Sequence, residues 1–125
     1  MPIKILTVDD SMTIRSIIKN SLKDYDCEIH EAENGLLGLQ SIIRIIPDLV
    51  ILDITMPVMD GIEMLRKLRS SPRGKDMKVI MLTAESAKEN IVEIAKLGVT
   101  NYIVKPFTKE QLVEKISGLV SLTKL

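Results

Sequence analysis

Two kinds of apolar pattern alternate along the chain. The first is short: residues 3–8, 49–52, 77–82 and 102–104 are apolar runs that each stop at a polar residue. Such runs predict strands buried on both faces, as in a parallel sheet. Residues 27–31 form a weaker, alternating candidate strand. The second pattern has helical spacing. Ile14, Ile17, Ile18 and Leu22 share one face, and Leu36, Leu39, Ile43 and Ile46 share another that is expected to meet the core. Ile62, Leu65 and Leu68 repeat the spacing after Gly61, and Ile91, Ile94 and Ala95 repeat it before Gly98, a C-terminal cap candidate. Leu112, Ile116, Leu119 and Val120 form the last stripe, started by a capping box between Thr108 and Gln111. In the second helix, Leu37 and Ile45 fall opposite the expected core stripe. They either tuck against neighbouring helices or offer a partner a small apolar contact.

Strand and helix therefore alternate five times, which predicts an α/β fold with helices on both faces of a parallel sheet. Right-handed crossovers leave few topologies. In such sheets functional groups gather at the carboxyl ends of the strands.

Composition narrows the function. The 125 residues fit one domain, spanning 1–125, and can bury a real core. Lys+Arg and Asp+Glu both number 17, so the formal net charge is zero and the basic surplus of a nucleic-acid binder is missing. The aromatic residues are Tyr25, Tyr102 and Phe107, a poor platform for stacking bases or lining a flavin pocket. A lone Cys27 forbids an internal disulfide. No signal peptide pattern and no membrane-spanning apolar run is visible, so the expectation is a cytoplasmic domain with no membrane partner.

The residues that close the strand runs carry the candidate chemistry: Asp9-Asp10, Asp53, Thr83 and Lys105. Any one of them reads equally well as a turn residue or helix cap. Together, at successive strand ends, they offer three carboxylates, a hydroxyl and an ammonium on one sheet edge. Neighbouring carboxylates repel, and a hard divalent cation removes that cost. Ligands that are all oxygen favour Mg²⁺, Mn²⁺ or Ca²⁺. Mg²⁺ takes one or two carboxylates and shares a substrate phosphate, and an aspartate can accept a phosphoryl group as a nucleophile. The chemistry indicated is Mg²⁺-assisted phosphoryl transfer onto a carboxylate.

At these residues the chain resembles the receiver domain of two-component response regulators, the stand-alone chemotaxis (CheY-like) type most of all. The matching pieces are Val8-Asp9-Asp10-Ser11, Glu33-Asn34-Gly35, Pro47 onward through Asp53-Ile54-Thr55-Met56-Pro57 to Asp60-Gly61, Met81-Leu82-Thr83-Ala84, Leu97-Gly98, and Tyr102-Ile103-Val104-Lys105-Pro106-Phe107. They cover essentially the whole chain, in order. The resemblance implies a flavodoxin-like (βα)5 fold with strand order 2-1-3-4-5. It implies Asp53 as phosphoryl acceptor from a sensor histidine kinase. Asp10 would contact Mg²⁺ (or Mn²⁺) directly and Asp9 mainly through water, with Asp53 and the Thr55 carbonyl as further ligands. Lys105 would pair with the phosphoryl group, Thr83 would swing to hydrogen-bond it, and Tyr102 would turn inward. Thr55 and Glu85 would modulate dephosphorylation, and the Lys105-Pro106 bond would be cis. Output would be protein–protein contact with a downstream target, chemotactic or otherwise. The implied state is a monomer, with dimerisation on phosphorylation left open.

A competing enzyme reading is a small Mg-dependent aspartate-nucleophile phosphatase. It requires a second Asp two residues after the nucleophile, where Thr55 stands. His30 reads as an exposed strand histidine, Cys27 as a small buried hydrophobe, and Met64, Met77 and Met81 as core fillers.

Overall fold

The computed structural model describes residues 2–84 and 90–125. Five strands alternate with five helices: β1 (Ile3–Val8), α1 (Met12–Ser21), β2 (Cys27–Ala32), α2 (Gly35–Ile45), β3 (Leu49–Asp53), α3 (Gly61–Arg69), β4 (Val79–Ala84), α4 (Asn90–Lys96), β5 (Tyr102–Lys105) and α5 (Lys109–Ser117). All strand pairs are parallel and the order is β2-β1-β3-β4-β5, as the resemblance implied. β3 is buried throughout, which explains its unbroken apolar run. Alternate residues of the central strands feed two cores. Leu6, Val50, Leu52 and Met81 meet Ile42, Met64, Leu65 and Ile94 on the face covered by α2, α3 and α4. Ile5, Leu49, Ile51 and Ile80 meet Ile18, Leu22, Leu112 and Ile116 of α1 and α5 on the other. The capping box of Thr108 and Gln111 forms as expected. Among the described residues no helix is long and apolar enough to cross a membrane.

The face of α2 differs from expectation. Gly35, Gly38, Ser41 and Ile42 are its buried residues, while Leu36, Ile43 and Ile46 are exposed and Leu39 is only partly buried. Ile45, placed opposite the core by its spacing, is partly buried. The reason is close approach. A Cβ on Gly38 would lie 2.9 Å from the Met64 side chain and 3.1 Å from Val8 Cγ2. Small residues let α2 settle on β1 and α3, and the bulky aliphatics are turned outward. Two smaller differences accompany it. Ile17 is exposed although it shares the stripe of α1, and Cys27 is only partly buried. Of the predicted core methionines, Met64 and Met81 are fully buried and Met77 packs partly buried against the first core.

Candidate functional site

Sheet register assembles the site. Val8 pairs with Leu52, so the next residues, Asp9 and Asp53, come level. Asp53 pairs with Leu82, and Ala84 pairs with Lys105, so Thr83 and Lys105 reach the same edge. The sequence placed Asp53, Thr83 and Lys105 just beyond their strands. In the structure Asp53 and Lys105 are the last strand residues and Thr83 lies inside β4. Extending the ladder to these polar residues fixes their backbones and so the directions of their side chains.

Asp9 is fully buried. Its Oδ1 accepts the Ser11 amide at 2.9 Å, while the Ser11 side chain caps α1 by accepting from the Ile14 amide. Asp10 is exposed beside it. Carboxylate oxygens of Asp9, Asp10 and Asp53 lie within 4.8 Å of one another. Lys105 Nζ donates to Asp53 Oδ1 at 2.9 Å and to Asp9 Oδ2 at 3.3 Å. Burial pushes the Asp53 carboxyl above its ordinary range. The Lys105 hydrogen bond opposes that push, and the neighbouring Asp9 and Asp10 charges add to it. Burial pulls the Lys105 ammonium down, but its bond to Asp53 and the two nearby carboxylates outweigh this, and its pKa is raised. The site is thus acidic beyond what one ammonium neutralises. Three converging carboxylates, with no nitrogen or sulfur ligand among the described residues, fit a hard divalent cation such as Mg²⁺.

The loop after β3 is built for close contact. Gly61 opens α3 directly against the end of β3: a Cβ there would lie 2.1 Å from the Asp53 carbonyl oxygen, so only glycine fits. Its amide donates to the Ile54 carbonyl at 2.7 Å. Thr55 is exposed two residues beyond Asp53, and Met56 and Met59 pack inward. Val58 holds φ 69° in a three-residue turn closed by the Met59 amide on the Pro57 carbonyl. Thr83 is buried, Tyr102 sits at the exposed start of β5, and the Lys105-Pro106 bond is cis. Glu85 lies outside the described residues. His30 joins no ligand cluster among the described residues and stands 4.0 Å from Glu28.

Two contributors were not legible in the sequence. Arg15 bonds Glu31 at 3.0 Å and its guanidinium donates to the Asp9 carbonyl, bracing the acidic turn from behind. An arginine on the polar face of a helix gives no such signal. Arg69 donates to three backbone carbonyls, those of Leu97, Gly74 and Met77, and ties α3 to the end of α4 and the entry to β4.

Comparison with known proteins fits this geometry. The family model for the response regulator receiver domain matches residues 5–117. Chemotaxis protein CheY-3 of Vibrio cholerae is 44% identical over 117 residues, covering 93% of this chain and 90% of that protein. Chemotaxis protein CheY of Pseudomonas aeruginosa is 44% identical over 117 residues, covering 93% and 94%. The high-resolution structure of chemotaxis response regulator CheY4 of Vibrio cholerae superposes with a TM-score of 0.88 at 32% identity, covering 96% of this chain and 100% of that one. A CheY-like receiver domain protein from Methanospirillum hungatei gives a TM-score of 0.85 at 34% identity, covering 94% and 93%.

Proposed function

This chain belongs to the response regulator receiver domain family, and from that premise we propose that it is a cytoplasmic phosphorylation-activated switch with Asp53 as its phosphoryl acceptor. The observation that carries this reading is the convergence of Asp9, Asp10 and Asp53 within 4.8 Å, with Lys105 Nζ 2.9 Å from Asp53 Oδ1.

An Asp53 carboxylate oxygen attacks the phosphorus of a phosphohistidine on a sensor histidine kinase. The O–P bond forms as the N–P bond breaks, and the imidazole leaves with the electron pair. Asp9, Asp10, Asp53 and the Thr55 carbonyl would hold Mg²⁺ or Mn²⁺, which when bound supplies charge stabilisation to the phosphoryl oxygens. Lys105 moves its ammonium from Asp53 to a phosphoryl oxygen. Thr83 donates its hydroxyl to another, and Tyr102 turns into the space this leaves. The surface around Tyr102 then binds a downstream target, as a two-state element biased by a local charge. Water later attacks the phosphorus, the Asp53 O–P bond breaks, and inorganic phosphate leaves as the carboxylate returns, at a rate set through Thr55 and Glu85. The relatives are chemotaxis proteins, and chemotaxis is the circuit we propose for this chain.

Incubation with acetyl phosphate and Mg²⁺, followed by mass spectrometry, tests the assignment. Wild type should gain one phosphoryl group, and Asp53→Asn or excess EDTA should prevent it. Lys105→Ala should fold yet accept or respond poorly. Undiminished labelling of Asp53→Asn would sink the proposal.

A further inference from the structure

The two adjacent carboxylates of the acidic turn are held very differently. The Asp9 amide donates to the Ala32 carbonyl at 3.0 Å, its Oδ1 accepts the Ser11 amide and its Oδ2 accepts Lys105. Asp10 is exposed, and among the described residues neither its amide nor its carboxylate makes a hydrogen bond. Its direction depends on the two peptides beside it. The one that follows is tied by the Ser11 amide to Asp9. The one that precedes is tied, among the described residues, only by the Arg15 guanidinium donating to the Asp9 carbonyl.

Local folding returns Arg15 to this peptide. Ser11 caps α1, and the Arg15 amide closes the first turn on the Ser11 carbonyl at 3.1 Å. The Arg15 side chain is only 12% exposed, and its Nε donates to Glu31 Oε1 at 3.0 Å. Glu31 pairs in register with Thr7, so one planar guanidinium bridges β2 and the end of β1. Because the fork is rigid, fixing Nε on Glu31 also aims the nitrogen that meets the Asp9 carbonyl. Lys19 comes within 3.7 Å of the other Glu31 oxygen but is 61% exposed, a geometry that contributes little.

We propose that Arg15, held by Glu31, is a positioning residue that raises the affinity of Asp9, Asp10 and Asp53 for a divalent cation. The inference rests on the phosphoryl reading above, which assigns that cation. Its sign is opposite to the one charge predicts. A guanidinium near a cation site repels the incoming ion, so by charge alone the loss of Arg15 would tighten binding. By orientation its loss frees the peptide before Asp10, the third carboxylate leaves the cluster, and binding weakens. Groups that orient metal ligands change affinity by about 10- to 100-fold.

The test titrates Mg²⁺ into the full, isotope-labelled, unphosphorylated chain. Amide shifts report affinity, and a thermal midpoint in EDTA reports the fold. Arg15→Met keeps the apolar stem and should bind Mg²⁺ about tenfold more weakly than wild type. Lys19→Met removes the same charge one turn further along α1 and should not weaken binding. Glu31→Gln and Glu31→Ala lose the same charge, but glutamine keeps an oxygen for Nε and should weaken binding less than alanine. The Arg15→Met, Glu31→Ala double variant should bind no more weakly than Arg15→Met, since the two residues act in series. Folded Arg15→Met that binds as tightly as wild type, or more tightly, overturns the proposal. So do equal losses in the two Glu31 variants, a matching loss in Lys19→Met, or additive losses in the double variant. Should Arg15→Met not fold, the two variants at partly exposed Glu31 decide alone. A wild type without any Mg²⁺ response would overturn the phosphoryl reading and this inference together, whereas the other adverse outcomes overturn this inference only.

Discussion

Asp53 is buried beside two other carboxylates, and among the described residues only Lys105 supports its charge. Its raised pKa has a direct consequence for stability. As pH climbs through the ordinary aspartate range, near 3.9, the unfolded chain releases this proton before the folded one does. The folded state then binds more protons, and the contribution of this group to stability falls with rising pH. Asp53→Asn should therefore melt higher than wild type at pH 7 in EDTA, and the difference should vanish below the ordinary aspartate range. Thermal melts between pH 3 and 8 decide this, and a wild type more stable at pH 7 would contradict it. Val58 illustrates strain of another kind. A β-branched residue at φ 69° costs roughly 1–2 kcal/mol, and Val58 is 78% exposed, so little packing offsets it. Val58→Gly should stabilise by about 0.5–1 kcal/mol after the entropy of a freer unfolded chain is subtracted. Urea denaturation measures it. The carboxylates, Thr83 and Lys105 were legible because each closes an apolar run. The strain at Val58 was not, since nothing in the residue type announces a positive φ.

Elements show where periodicity succeeds and where it misleads. The strands were legible because central strands admit only apolar residues on both faces. The core face of α2 was not, because hydrophobicity ranks Leu36 and Ile43 above Gly38 and Ser41, whereas the sheet selected by size. The two glycine contacts predict different outcomes. At Gly61 a methyl group meets the rigid Asp53 backbone, so Gly61→Ala should cost about 2–3 kcal/mol. At Gly38 it meets the flexible end of Met64, and alanine adds up to about 1 kcal/mol of helix propensity, so Gly38→Ala should lie within about 1 kcal/mol of wild type. Chemical denaturation of both variants compares them, and equal losses would refute the distinction.

At the scale of the molecule, zero net charge conceals a local excess: among the described residues three carboxylates face one ammonium. The sequence sum could not reveal this, because the excess arises only when four strand ends are aligned. With two tyrosines and no tryptophan, the proposed switch has an intrinsic optical probe. Tyr25 is partly buried in the second core and Tyr102 is exposed. Adding beryllofluoride, a phosphoryl mimic, with Mg²⁺ should shield Tyr102 from iodide quenching. Tyr102→Phe should abolish the change, and quenching that beryllofluoride leaves unaltered would argue against the inward turn. The Lys105–Asp9 bond joins residues 96 positions apart in sequence. A ribosome must release the chain past β5 before that ammonium can reach its carboxylates. A chain cut short before β5 therefore cannot assemble this pocket, and a closed pocket becomes a mark that every strand of the sheet has been made.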